Sequence, residues 1–372
     1  MDTAFNGTEL RLARIFNGLA LEEVAERVEK TRQYVHRLET GQATPTKQLL
    51  EQLASVLQVE PAFFTSAHTL MIGEEQFHFR KLFTTRAMVK QVAMARGEMI
   101  GRLVTYLDNE LRLPDLRIPE VTGVHTSDDI ERAAELCRRE WNLGLGPIAN
   151  MNRLAEYVGA IVTSFQSVSK EIDALSVAVK RPIIVRNEAK ESVCRQRFDI
   201  GHELGHFVLH AGQPTGDRVT ESQANRFASA LLIPRVMMTK LFPRPHGSRL
   251  DWVGLREFKL TWKISKAAIL YRARQLDLIN DDQYKTGVIT LRRTGEATGE
   301  REDNLIPKEA PELLARSFKI LAEKRGVYTE EIASALRVLP AFLRAAVGFE
   351  ISENVPDRNQ GPGQRPKLYL VT

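Results

Sequence analysis

The sequence predicts an α+β chain, predominantly helical: an all-α head, a domain with a small sheet, and a helical C-terminal region. Three observations predict it. Residues 9 to 57 carry apolar positions at three- and four-residue spacing with short punctuation, residues 159 to 185 hold short β-branched runs, and helical periodicity returns over 309 to 350. At 372 residues the chain is long enough for two or three domains. Its 43% hydrophobic and 27% charged residues exclude a fibrous repeat or wholesale disorder.

The elements follow in order. Leu10, Leu12, Ala13 and Phe16 give a first helix, and Leu21, Val24, Ala25 and Val28 a second. Thr31 is an N-cap residue for a third that runs through Tyr34, Val35 and Leu38 to a stop at Gly41. Thr44 and Pro45 restart the chain as cap and first helical position, ahead of Leu49, Leu53, Ala54 and Leu57. A longer helix is expected over 84 to 112, broken by LPDLRIPEVTGV, where a domain boundary is placed. A helix at about 127 to 141 precedes three strand-like runs, GAIVTSF, ALSVAV and PIIV, and helices follow through 200 to 211 and 219 to 232. Residues 293 to 308 are polar and read as a mobile loop; ENVPDRNQGPGQRPK (353 to 367) reads as a flexible tail, and no internal repeat is found. The expected domains are therefore 1–65, a helical connector at 66–125, a mixed domain at 126–285 and a helical region at 286–372.

Charge and hydropathy narrow the function. No run approaches the ~18 apolar residues of a membrane span, and MDTAFNGTEL lacks a basic region followed by an apolar one. Cys137 and Cys194 are too far apart for a CxxC element, so a disulfide framework is not expected and a cytoplasmic location fits. The formal net charge is +5, but residues 1 to 65 hold 7 basic and 9 acidic side chains, whereas 235 to 275 hold 10 and 2. The basic excess lies in one segment.

The strongest chemical signal is GHELGH, with His202, Glu203 and His206. On a helix, positions i and i+4 lie about 40° apart in rotation and about 6 Å along the axis, so both imidazoles reach one ion. Glu203 beside them is the candidate general base of a metal-assisted hydrolysis. A catalytic zinc needs a third protein ligand. His210, eight residues after His202, would sit about 12 Å along the axis, too far to share the ion. Glu221 in TESQANRFASALLIP begins a second helix, with Asn225 one turn later on the same face, and is the better third ligand, with Asn225 orienting a ligand.

These strings, RQRFDIGHELGHFVLH and then ESQANRFASALLIP, resemble the ImmA/IrrE family of metallopeptidases over roughly residues 140 to 285. The resemblance implies a gluzincin-like metallopeptidase fold, a Zn²⁺ held by His202, His206 and Glu221, a base at Glu203, and a protein substrate, commonly a repressor. Asp199 and Gly201 depart from the family's more frequent Thr and Ala; neither is a ligand.

Residues 9 to 57 resemble the XRE type of helix-turn-helix, which implies DNA binding by the third helix, through Thr31, Arg32, Gln33, His36 and Arg37, and a homodimer. Arg suits guanine and Gln suits adenine. The family's Thr-Gln at the start of the second helix is replaced by Ala20 and Leu21. The basic segment offers a second candidate: within 235–280, residues 255 to 279 have a winged-helix rhythm, with Ser265 as cap and Lys266, Arg272 and Arg274 as phosphate contacts.

The expected function is a DNA-binding transcriptional regulator fused to a zinc endopeptidase that cleaves a regulatory protein. The alternative is a transcription factor or antitoxin-like autoregulator whose metal site is structural or sensory. Residues 309 to 350 could bind a toxin or inhibitor, or simply pack.

Overall fold

The computed structural model describes residues 4–65, 77–79, 87–164, 174–177, 181–186, 192–213, 215–349 and 351. The head comprises α1 (Gly7–Phe16), α2 (Leu21–Arg27), α3 (Arg32–Glu39), α4 (Lys47–Leu57) and a 3-10 turn at Pro61–Thr65. Thr31 caps α3 by accepting from Tyr34 N, as its residue type predicts. The cap of α4 is Thr46 rather than Thr44, its hydroxyl accepting from Leu49 N, so Pro45 precedes the helix instead of opening it. Arg14 joins α1 to α3 by a two-pronged pair with Glu39, at 2.5 and 2.9 Å. Gly7 permits this packing, because a Cβ there would lie 2.1 Å from the Leu38 carbonyl oxygen.

The connector is more than helical. It supplies an edge strand, β1 (Phe77–Phe79), before α5 (Ala87–Glu110). Arg102 on α5 pairs with Glu9 at 2.8 Å and Glu98 at 3.0 Å, all three buried, and so clamps α5 to the head. After the extended stretch 111–126 come α6 (Ser127–Glu140), α7 (Met151–Tyr157), β2 (Ile161–Ser164), β3 (Ala174–Val177), β4 (Ile183–Arg186), α8 (Val193–Leu209), α9 (Arg218–Leu232) and α10 (Arg235–Leu241). Then follow α11 (Trp252–Trp262), α12 (Lys266–Gln275), α13 (Asp281–Arg293), α14 (Leu313–Arg325), α15 (Thr329–Ala335) and α16 (Pro340–Val347).

The strands pair in the order β1-β3-β4-β2, antiparallel except for the parallel β2/β4 pair, with Ile161 opposite Ile183. Every residue of β2 and β4 is buried, and alternate residues face opposite ways. Ile161, Ile183 and Val185 join a core shared with the head, α5 and α14 to α16, while Val162 and Ile184 join the core around α6 to α9 and α11 to α13. The sheet is thus a partition between two cores.

Three expectations change. Residues 293 to 308 are held in place: Glu296, Glu300 and Glu302 are each 8% exposed, and a 3-10 turn forms at Asp303–Leu305. Residues 309 to 349 fold back onto the head, so their apolar faces are covered within the chain; Phe342 stacks on Phe16 with centroids 3.7 Å apart. An internal repeat does exist: Ala54–Phe64 (ASVLQVEPAFF) and Ala333–Leu343 (ASALRVLPAFL) agree at seven of eleven positions. The copies are short and about three-quarters of the chain apart, so they form no regular period. The expected tail, 353 to 367, lies outside the described residues.

Candidate metal centre and nucleic-acid interface

Two glycines set the centre's geometry. Glycine costs a helix interior about 1 kcal/mol relative to alanine. In α8 the cost is offset by proximity: a Cβ on Gly205 would sit 3.0 Å from Phe227 Cδ1 and 3.3 Å from the Ala224 backbone, and one on Gly201 3.4 Å from Ala228 Cβ. The bare stripe lets α9 lie close against α8. Asp217 caps α9 by accepting from Val219 N at 2.7 Å and Thr220 N at 3.2 Å, which places Glu221 in the first turn, over the histidines.

The three predicted ligands converge. His202 Nε2 lies 3.0 Å from His206 Nε2, and Glu221 Oε2 and Oε1 lie 3.4 and 3.3 Å from those two nitrogens. Donors about 2.0–2.1 Å from one ion at tetrahedral angles stand about 3.3 Å apart, so the triangle has the size such an ion requires. Among the described residues this is the one group of three acidic, histidine or cysteine side chains close enough to hold a metal. Burial raises the Glu221 carboxyl, but in the metal-free site the two imidazoles, when they carry the proton, donate to it and outweigh burial, holding it down to about 2.

Each imidazole is oriented from behind. His202 Nδ1 faces Asn225 Oδ1 at 3.1 Å, which places the proton on Nδ1 and leaves the Nε2 lone pair for the centre. His206 is held by a relay that the sequence reading did not assign. Its Nδ1 lies 3.0 Å from His210 Nδ1, and His210 Nε2 lies 2.8 Å from Gln223 Oε1. Gln223 oxygen accepts from His210 Nε2–H, His210 Nδ1 accepts from His206 Nδ1–H, and His206 Nε2 again faces the centre unprotonated. Burial keeps the His210 imidazole below its ordinary value, consistent with this neutral role. The spacing of His206 and His210, one turn apart, was the available signal. Glu203 follows His202 in α8 and is 1% exposed.

In the head, Thr31, Arg32, Gln33, His36 and Arg37 are all exposed, Thr31 at the N-cap of α3 and the other four along it. Arg32 pairs with Glu22 at 2.5 Å, but both side chains stay more than 60% exposed and can exchange partners. The second basic site does not assemble. Lys266 is 5% exposed and paired with Glu296 and Glu302, and Arg272 is 1% exposed with both terminal nitrogens 2.6 Å from Glu131. These cations are neutralised inside the fold and offer nothing to phosphate. Arg274 alone remains exposed, pairing with Asp281 at 2.6 Å and lying over Tyr284. Ser265 does cap α12, yet α13 follows it and no wing strand occurs there among the described residues.

Two family models match this chain. Residues 155–274 match the IrrE N-terminal-like domain, the peptidase M78 family, and residues 7–62 match a helix-turn-helix domain. No curated protein sequence matches the chain significantly. No helix among the described residues is long and apolar enough to cross a membrane.

Proposed function

We propose that the chain is a cytoplasmic transcriptional regulator in which a DNA-reading head is joined to a zinc-dependent endopeptidase that cuts a repressor or other regulatory protein. The observation that carries the reading is the His202, His206, Glu221 triangle with Glu203 beside it on α8. The donor set, two imidazoles and one carboxylate, suits Zn²⁺ and would supply three of its four tetrahedral positions. Bound there, Zn²⁺ would polarise a peptide carbonyl and acidify water.

The chain's own residues do the rest. Asn225 and the His210–Gln223 relay fix the tautomers, so the ligand nitrogens point inward before substrate arrives. Glu203 takes a proton from the attacking water and returns it to the leaving amine nitrogen as the C–N bond breaks. On the head, the exposed side chains of Thr31, Arg32, Gln33, His36 and Arg37 would face the major groove, where Arg suits guanine and Gln suits adenine.

Burial of both imidazoles favours a second reading, in which the metal is structural or sensory and the chain regulates its own transcription. One experiment separates them. The purified protein, with and without Zn²⁺, is mixed with the small helix-turn-helix or toxin-like proteins encoded by neighbouring reading frames. The peptidase reading expects Zn²⁺-dependent cleavage, abolished in Glu203→Gln while metal content is unchanged. Cleavage that persists in Glu203→Gln overturns the mechanism, and metal removal that changes only DNA affinity supports the second reading.

A further inference from the structure

We propose that α15 and α16 stand in, within the same chain, for a second copy of the head, and that Ala54–Phe64 is a self-pairing edge whose alternative partner is the same segment of another chain. The repeat supplies the first observation. Ala54, Ser55, Leu57, Val59, Pro61, Ala62 and Phe63 correspond to Ala333, Ser334, Leu336, Val338, Pro340, Ala341 and Phe342, without gaps. Backbone conformation agrees as well. In both copies the non-glycine residue before the valine, Gln58 at φ 59° and Arg337 at φ 58°, takes the left-handed conformation that lets a helix end and an extended pair of residues follow.

The second observation is how the copies meet. Val59 and Val338, equivalent positions, form an antiparallel bridge. Glu60 N donates to Arg337 O at 2.9 Å, and Leu339 N donates to Gln58 O at 3.0 Å. Glu60 is equivalent to Leu339 and Gln58 to Arg337, so each bond is the other with the copies exchanged. That reciprocity is the signature of an isologous, two-fold interface, here formed inside one polypeptide. Phe63 and Phe342, again equivalent, lie 6.5 Å apart across it, and Val59, Val338 and both rings are buried.

An edge that pairs with a near-copy of itself is chemically suited to pair with its exact copy. While α15 and α16 are seated, the edge is filled and each chain presents one α3. Once they are displaced, two heads can join through Val59 and present two α3 helices related by a two-fold axis.

The test uses the full chain with Val59→Cys as a reporter, since Cys137 and Cys194 are buried and do not compete. This reporter chain is expected to be monomeric by sedimentation equilibrium and to form no interchain crosslink through the introduced thiol under mild oxidation. Adding Phe342→Asp, which ejects α16, is expected to double the mass and to crosslink chains through that thiol. Phe342→Ala, which removes the ring from its contacts with Phe16 and Phe63 without introducing a charge, serves if the aspartate variant loses its helical signal, and is expected to give the same products at higher protein concentration. Interchain crosslinking of the reporter chain with Phe342 intact overturns the proposal. So does a folded Phe342 variant that stays monomeric.

Discussion

His210 is not placed among the ligands, yet its removal should be felt at the centre. Without His210 Nδ1 as acceptor, His206 loses the hydrogen bond that favours the proton on Nδ1, and the fraction of imidazole with its lone pair on Nε2 falls. Outer partners of ligating histidines typically contribute 10–100-fold in metal affinity. His210→Ala should therefore weaken zinc binding by about that factor in a chelator competition, with Gln223→Ala smaller and in the same direction. Unchanged affinity in both would remove the relay from the account. His202, His206, Glu221 and Asn225 were legible in the sequence because each pair sits one helical turn apart, a spacing that geometry fixes locally. Gln223 was not, because its partner is presented by another helix, at a distance set by how closely α8 and α9 pack.

That packing is a property of elements, and the two glycines of GHELGH test it in opposite directions. At Gly201 an added Cβ meets Ala228 at 3.4 Å, ordinary contact distance, so Gly201→Ala should gain up to about 1 kcal/mol from helix propensity and leave metal affinity unchanged. At Gly205 the Cβ meets the Phe227 ring at 3.0 Å and the Ala224 backbone at 3.3 Å, so α9 must move away and carry Glu221 with it. Gly205→Ala should cost both melting temperature and zinc affinity; retention of both would mean that the ring yields instead of the helix. The basic segment teaches a related lesson about α12. Its charge count was correct, but Arg272 finds Glu131 across 141 positions and Lys266 finds Glu296 across 30, and no local pattern announces partners so distant. Arg272→Ala would strand Glu131 beside Arg226 alone and should cost about 3–5 kcal/mol in denaturant unfolding, whereas Arg274→Ala at the surface should cost under about 1 kcal/mol. Equal, small effects would show that Glu131 is satisfied without Arg272.

For the whole molecule, the sheet and the C-terminal helices decide how the head and the metal domain share one fold. The β-branched runs of β2 and β4 were readable as strand, but not that each face serves a different core, since a buried four-residue run looks the same in either setting. The joint between the halves is tied at Glu156 on α7, whose carboxylate accepts from Glu312 N at 2.8 Å and Leu313 N at 2.9 Å and so caps α14. Burial raises this carboxyl, the two backbone donors offset part of the effect, and the group ends at about 7. The folded value lies above the unfolded one, so the folded state binds the proton more tightly. Stability from this group is full below the unfolded value of about 4.5 and is lost as pH rises through about 7. Glutamine keeps an oxygen for both donors and carries no charge to desolvate. Glu156→Gln should therefore match the parent near pH 4.5 and exceed it above pH 7, by up to about 3 kcal/mol. The check is the difference between the two stability curves across that range: a flat difference, or one that favours the parent at high pH, would mean that the helix N-terminus holds the carboxylate ionised and that capping outweighs burial at this joint.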